Sequence, residues 1–141
     1  IEQGGRFVFT AANTRYPDQL ARWGAGLSLT VNNGHPNYDN GATPTSPRAI
    51  AQFGHHAAQM VQRFPNIHSV EVGNEFNSAN FVSGPLRGAG LAARAKAYVA
   101  LLASVHAQVK AVRPEVRILG GGVHSIPTGY LAEQMAPELP S

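Results

Sequence analysis

The sequence predicts an α/β domain that forms part of a (β/α)8 TIM barrel, with about four parallel strands and helices between them. Three observations predict it. Short β-rich segments alternate with longer helical patterns, the signature of βα units around a parallel sheet. Two strand segments carry a polar face, Ser28, Thr30 and Asn32 on one and Ser69, Glu71 and Glu75 on the other. Strands of a doubly wound sheet are apolar on both faces, whereas polar residues converging on one side suit the lumen and mouth of a barrel. The chain has 141 residues, which is one domain by length and little more than half of the roughly 250 residues of a whole barrel. Residues 1–141 are therefore expected to form a single partial-barrel domain.

The elements follow in order. Arg6 to Thr10 (RFVFT) is a short aromatic and β-branched run and reads as a strand. Pro17 fits the first turn of a short helix, Pro17 to Trp23, and Gly24 fits its end. Leu27 to Asn32 alternates strictly, as a half-buried strand does. Asn33 to Thr45 is a turn-rich loop. Ser46 and Pro47 then supply the N-cap and first position of a helix whose stripe is Ile50, Phe53, Ala57, Met60, Val61 and Phe64. Pro65 stops it. Ile67 to Glu75 reads as the next strand, and Phe76 to Gly90 as a polar loop. The strongest helix runs from about Leu91 to Val112, with Tyr98, Leu101, Leu102, Val105, Val109 and Val112 as its stripe. Val116 to Gly121 is a further strand, and Tyr130 to Met135 opens one more helix.

Composition excludes several classes. Hydrophobic residues are 43% and charged residues 13%, which excludes a disordered charged tail. The net charge is +3, but the eleven Lys and Arg are scattered, whereas nucleic-acid binding needs a clustered basic stripe. The longest apolar-leaning run, Ala97 to Val109, is interrupted by His106 and is too short to span a bilayer. No nucleic acid and no membrane are expected as partners. The chain has no cysteine, hence no disulfide and no thiolate ligand. His55, His56, His68 and His106 show no zinc-like spacing, so no metal is expected. Gly84, Gly88 and Gly90 lack the Gly-Lys-Ser/Thr ending of a phosphate loop.

The segment that carries chemistry is Val70-Glu71-Val72-Gly73-Asn74-Glu75-Phe76-Asn77. Glu75 ends the strand and opens a long loop, the position from which catalytic residues project in barrel enzymes. A carboxyl at the mouth of a partly apolar pocket serves as a proton donor; the plain alternative is a solvated strand-end carboxylate. Asn74 beside it is placed to orient a substrate hydroxyl. Asn32, Asn33, His35 and Tyr38 follow the preceding strand at the same mouth. They read equally as sugar contacts or as turn chemistry, because Asn-Gly and His-Pro form turns. Asn77, Asn80 and Phe81 would shape the subsite beyond Glu75, and His124 follows the last strand.

This stretch resembles the fourth-strand signature of the retaining glycoside hydrolases of clan A, in which an Asn-Glu pair ends the strand and the Glu is the general acid/base. The order of motif, long helix ending in Arg-Pro and V-R-I-L-G-G-G strand is similar to family 39, of β-xylosidases and α-iduronidases. The Gly-Asn-Glu variant followed by Asn-Ser resembles the heparanase-like β-glucuronidases of family 79. The resemblance spans about residues 6 to 135, the middle third of a full enzyme. It implies Glu75 as acid/base and Asn74 as its substrate-orienting neighbour, with Asn32, His35, Tyr38, Asn77 and His124 as substrate contacts. It also implies a carbohydrate substrate, no cofactor, and a secreted or periplasmic location.

Two departures matter. Phe76 replaces the usual Pro, and the seventh strand that holds the family's nucleophile has no counterpart in the chain. A retaining glycosidase needs two carboxyls about 5–5.5 Å apart. Glu71 is expected to sit deeper in the lumen, paired with Arg117 or else Arg6. Glu2, Glu115, Glu133 and Glu138 lie away from the mouth, which leaves Asp39 as the reachable alternative. The expectation is a chain carrying the acid/base half of a glycosidase, completed by the remainder of the barrel. The alternative is an inactive carbohydrate-binding half-barrel that associates with itself through its open edge strands.

Overall fold

The structure is a computed structural model that describes residues 2–3 and 6–125. Two short strands, β1 (Glu2–Gln3) and β2 (Arg6–Phe7), form an antiparallel ribbon. Then come α1 (Ala11–Arg22), β3 (Leu27–Val31), α2 (Pro47–Arg63), β4 (Ile67–Val72), α3 (Leu91–Val112) and β5 (Arg117–Leu119). Short 3-10 helices interrupt the loops at Asp39–Gly41 and Gly84–Gly88. Strands β3, β4 and β5 make a parallel sheet in that order. The molecule is thus an α/β fold with three helices and a three-stranded parallel sheet among the described residues.

Register explains the polar parity. Ser28 lies opposite Ser69 and Thr30 opposite Glu71, while Leu29 and Val31 face Val70 and Val72. The second set points at the helices, and Val31, Val70 and Val72 are buried there. The polar set is joined across the strands: Ser69 Oγ donates to Ser28 Oγ at 2.9 Å and Thr30 Oγ1 to a Glu71 carboxylate oxygen at 3.0 Å. Polar cross-strand pairs of this kind stabilise a register.

The core lies between the sheet and the α2–α3 pair. Phe53, Ala57, Val61 and Phe64 come from α2 and its C-cap, and Leu101, Val105 and Val109 from α3. Burying each large side chain contributes about 1.5–3 kcal/mol. Ser46 caps α2 by accepting the Ala49 N–H at 3.2 Å, with Pro47 at the first position as expected. The α2 stripe is wider than its periodicity predicts, because Ala49, Gly54 and Ala58 are also buried. One face of the helix meets the sheet and another meets α3. Val112, at the helix terminus, is exposed.

Four sequence expectations are corrected here. RFVFT is a strand only at Arg6–Phe7, and it pairs with Glu2–Gln3 outside the parallel sheet. Phe9 instead packs edge-on against Phe64, ring centroids 5.8 Å apart. Helix α1 starts at Ala11, so Pro17 is interior and not at the first turn. Its end is as expected. Gly24 adopts φ +70°, with Gly24 N–H to Ala21 O and Ala25 N–H to Leu20 O closing a Schellman motif. Strand β4 stops at Val72, three residues before Glu75. Glu71 accepts from Thr30, and no ion pair joins it to Arg117 or Arg6 among the described residues. Arg117 stands opposite Ser69, while Glu71 stands opposite Leu119. The helix expected at Tyr130 to Met135, with Glu133 and Glu138, lies outside the described residues.

Candidate active site

The chain leaves β4 through two left-handed residues, Gly73 at φ +71° and Glu75 at φ +46°. The turn is clamped on both sides. Gly73 N–H reaches Val31 O of β3 at 2.8 Å, and Glu75 N–H reaches Gly122 O beyond β5 at 2.8 Å. Phe76 turns into the core, its ring 5.3 Å from that of Tyr98. Tyr98 in turn accepts the Gly121 N–H at 2.8 Å, which holds the strap that receives Glu75. This is the structural consequence of Phe76 standing where the resembled family has Pro: an aromatic anchor fixes the turn.

Glu75 is a non-glycine residue in left-handed backbone, a conformation that persists only where its surroundings impose it. One carboxylate oxygen, Oε2, is buried with no hydrogen-bond partner. The other described carboxylates whose side chains are placed each have a partner. Asp18 is held by Arg63, Glu71 by Thr30, Glu115 by Arg113, and Asp39 by Thr45 and Ser46. A buried unpaired oxygen is costly to the fold. Strain and an unmet acceptor therefore coincide in one side chain at the C-terminal end of the sheet.

Asn74 and Glu71 converge beside it. A Cβ built on Gly122 would stand 3.3 Å from Glu71 Oε1 and 3.8 Å from Asn74 Oδ1. The Glu71 side chain thus reaches up towards the mouth, a placement that strand rise alone hides. Asn77 makes a double clasp on the strap after β5. Its Nδ2 donates to His124 O at 3.0 Å and its Oδ1 accepts His124 N–H at 2.9 Å. The His124 ring nitrogen Nδ1 meets Ser125 O at 2.8 Å. Arg94 of α3 donates to Leu86 O, Asn77 O and Arg87 O, tying the loop from residue 77 to residue 87 onto the helix. Sequence reading places Tyr98 in the stripe of its helix without a role at the turn, and does not single out Arg94 or Gly122. They act through backbone groups, which leave no pattern in side-chain types.

The remaining expected residues stand together elsewhere on the same edge. Asn32, Asn33, His35 and Tyr38 line a cavity of about 180 Å³ with Phe7 and with Gln52, Phe53 and His56 of α2. Glu75, Asn74, Asn77 and His124 do not line it. His35 and Tyr38 have ring centroids 5.9 Å apart, and the Arg48 guanidinium lies 5.2 Å above the Tyr38 ring. The structure thus divides the expected site into a turn around Glu75 and a pocket beside β3.

Asp39 belongs to the loop's own architecture. Its Oδ2 accepts the N–H of Thr45 at 2.7 Å and of Ser46 at 2.9 Å, just before α2. The Ser46 hydrogen bonds first, then Thr45, lower its pKa from 3.8 to about 2. Because the folded value is depressed, its stabilisation is present above the unfolded pKa. It is lost as pH falls from about 4 towards 2. Solvent screening limits the contribution to no more than about 1 kcal/mol. Asp39→Asn should flatten the acid limb of a stability-versus-pH curve over that window while leaving neutral stability lower; an unchanged limb refutes the assignment.

Among the described residues, no group of three His, Cys, Asp or Glu stands together as metal ligands, and no helix is long and apolar enough to cross a membrane. No family model matches the chain, and no curated protein matches it. The glycosidase resemblance stands on the Val70–Asn77 segment and its setting.

Proposed function

We propose that this chain carries the acid/base half of a retaining glycoside hydrolase, built on part of a (β/α)8 barrel. Glu75 is the proton donor and Asn74 the group that orients the sugar. The observation that carries this reading is the buried, unpartnered Glu75 Oε2 on left-handed backbone at the C-terminal end of a parallel strand. In its protonated form Glu75 would donate from this oxygen to a glycosidic oxygen arriving there, a hydrogen bond for which the fold supplies no competing partner. In a double displacement the same carboxyl first donates a proton to the leaving group and then takes one from water. The reaction needs no cofactor. Asn32, His35 and Tyr38 supply substrate contacts from the β3 side, and Asn77 and His124 frame the opposite side.

The second carboxyl has to face Glu75 from the rest of a barrel or from another copy. Each described carboxylate other than Glu75 whose side chain is placed already has a partner. The 141-residue chain by itself should therefore not hydrolyse a nitrophenyl glycoside. A cationic imino sugar should still shift the amide resonances of Asn74 and Glu75, and lose that effect in Glu75→Gln. Robust hydrolysis that Glu75→Gln abolishes would refute the half-site; no perturbation at either residue refutes the acid/base assignment. A second reading has one observation in its favour: both outer strands of the sheet, β3 and β5, lack a further partner among the described residues. It makes the chain a binding half-barrel that self-associates, and light scattering showing dimers without any hydrolysis supports it.

A further inference from the structure

The single tryptophan of the chain, Trp23, is not in the core; it is 70% exposed at the end of α1. Tyr16, on the same helix, is 69% exposed. Tryptophan is among the residues buried most on average, so two aromatics displayed on one short helix call for a reason. They are seven residues apart, which places them on one face with a separation of about 10 Å along the axis. Exposed Gln19 lies between them. Arg15 and Arg22 repeat the same spacing and form a second exposed row about 100° round the helix, flanking the aromatic one. Neither is paired with a described carboxylate, because Asp18, the acid of the helix, is held by Arg63 with both oxygens.

We propose that this face of α1 is a binding surface for an acidic polysaccharide. Each aromatic ring stacks on the C–H face of a pyranose, the two rings serving sugars a disaccharide apart in an extended chain. Arg15 and Arg22 meet the carboxylate or sulfate groups along it, with the planar fork that suits such anions. The spacing argues against single-stranded nucleic acid, whose successive bases stack on closely spaced platforms in a groove of cations. The interleaved Gln and Arg argue against an apolar protein interface, whose core is depleted of charge. The surface lies on α1, apart from the β4 turn, and the inference does not depend on the role of Glu75.

The lone tryptophan is its own reporter. Fluorescence titration of the 141-residue chain with carboxymethyl-cellulose should give a saturable, salt-sensitive change, with hydroxyethyl-cellulose, the same backbone without the charge, binding at least tenfold more weakly, about 1.4 kcal/mol. Tyr16→Ala and the double variant Arg15→Gln/Arg22→Gln should each weaken binding by about tenfold, with unchanged circular dichroism. Lys96→Gln, which removes an exposed basic residue on α3 away from this face, should titrate like the parent chain. No saturable change, equal binding of the neutral polymer, or tighter binding of oligo-dT overturns the proposal. So does loss of binding in Glu75→Gln, which would place the polymer at the β4 turn.

Discussion

Replacing Gly54 by alanine is expected to destabilise the protein by about 2–3 kcal/mol, although alanine is the better helix former by about 1 kcal/mol. Gly54 is buried where α2 crosses α3. A Cβ there would stand 2.4 Å from Ser104 Oγ and 2.7 Å from the Ser104 carbonyl oxygen. The hydroxyl could rotate away, but the carbonyl is part of the α3 backbone. Relief therefore requires the helices to separate. Two ties would loosen with them: Ser104 Oγ donates to Ile50 O at 2.9 Å and Gln108 Nε2 to Ala51 O at 2.8 Å. Both helices also carry much of the buried core, so separation uncovers Phe53, Ala57, Leu101 and Val105. Denaturant unfolding of Gly54→Ala checks this. A variant as stable as the parent, or more so, would show that the crossing has room to spare.

Gly73→Ala is expected to cost about 3 kcal/mol and to dismantle the Glu75 turn, by two independent effects. The backbone there is at φ +71°, where a Cβ is strained by about 1 kcal/mol. The new methyl would also stand 2.6 Å from the Phe76 ring and 3.4 Å from that of Tyr98. Phe76 is only 8% exposed and packs against Tyr98, so moving its ring disturbs the core. Overpacking of this kind costs about 1–3 kcal/mol. Gly73 N–H holds Val31 O on one side, and Glu75 N–H holds Gly122 O on the other. The variant should thus show faster hydrogen exchange at the Glu75 amide than at the core amides of β4. Exchange that accelerates equally throughout would mean a general loss of stability with no special role for the turn.

Much of the scaffold is legible in residue order. The alternation in Leu27–Val31 and the stripe Phe53, Ala57, Val61, Phe64 report burial directly, because a side chain's face follows from its position in the period. Ser46–Pro47 and Gly24 mark helix ends by local chemistry that needs no distant partner. The Asn74–Glu75 pair is legible for the same local reason, as a polar pair ending a strand segment and opening a long loop. What the order of residues could not supply was decided by groups far apart in the chain. RFVFT has strand composition, yet its pairing depends on which edge it meets, and Phe9 found Phe64 instead. Pro17 stands inside α1 although it has no N–H for the carbonyl four residues back, and what holds this helix end in place is distant: Asn66 donates to Pro17 O and Ala25 O, 49 and 41 residues away. The turn around Glu75 is held by hydrogen bonds between separate βα units, Gly73 N–H to Val31 O, Glu75 N–H to Gly122 O and Gly121 N–H to the Tyr98 hydroxyl, and the pocket beside β3 lies apart from it. Local periodicity therefore specifies which face each residue presents, and tertiary packing alone decides which carboxylate is left buried without a partner.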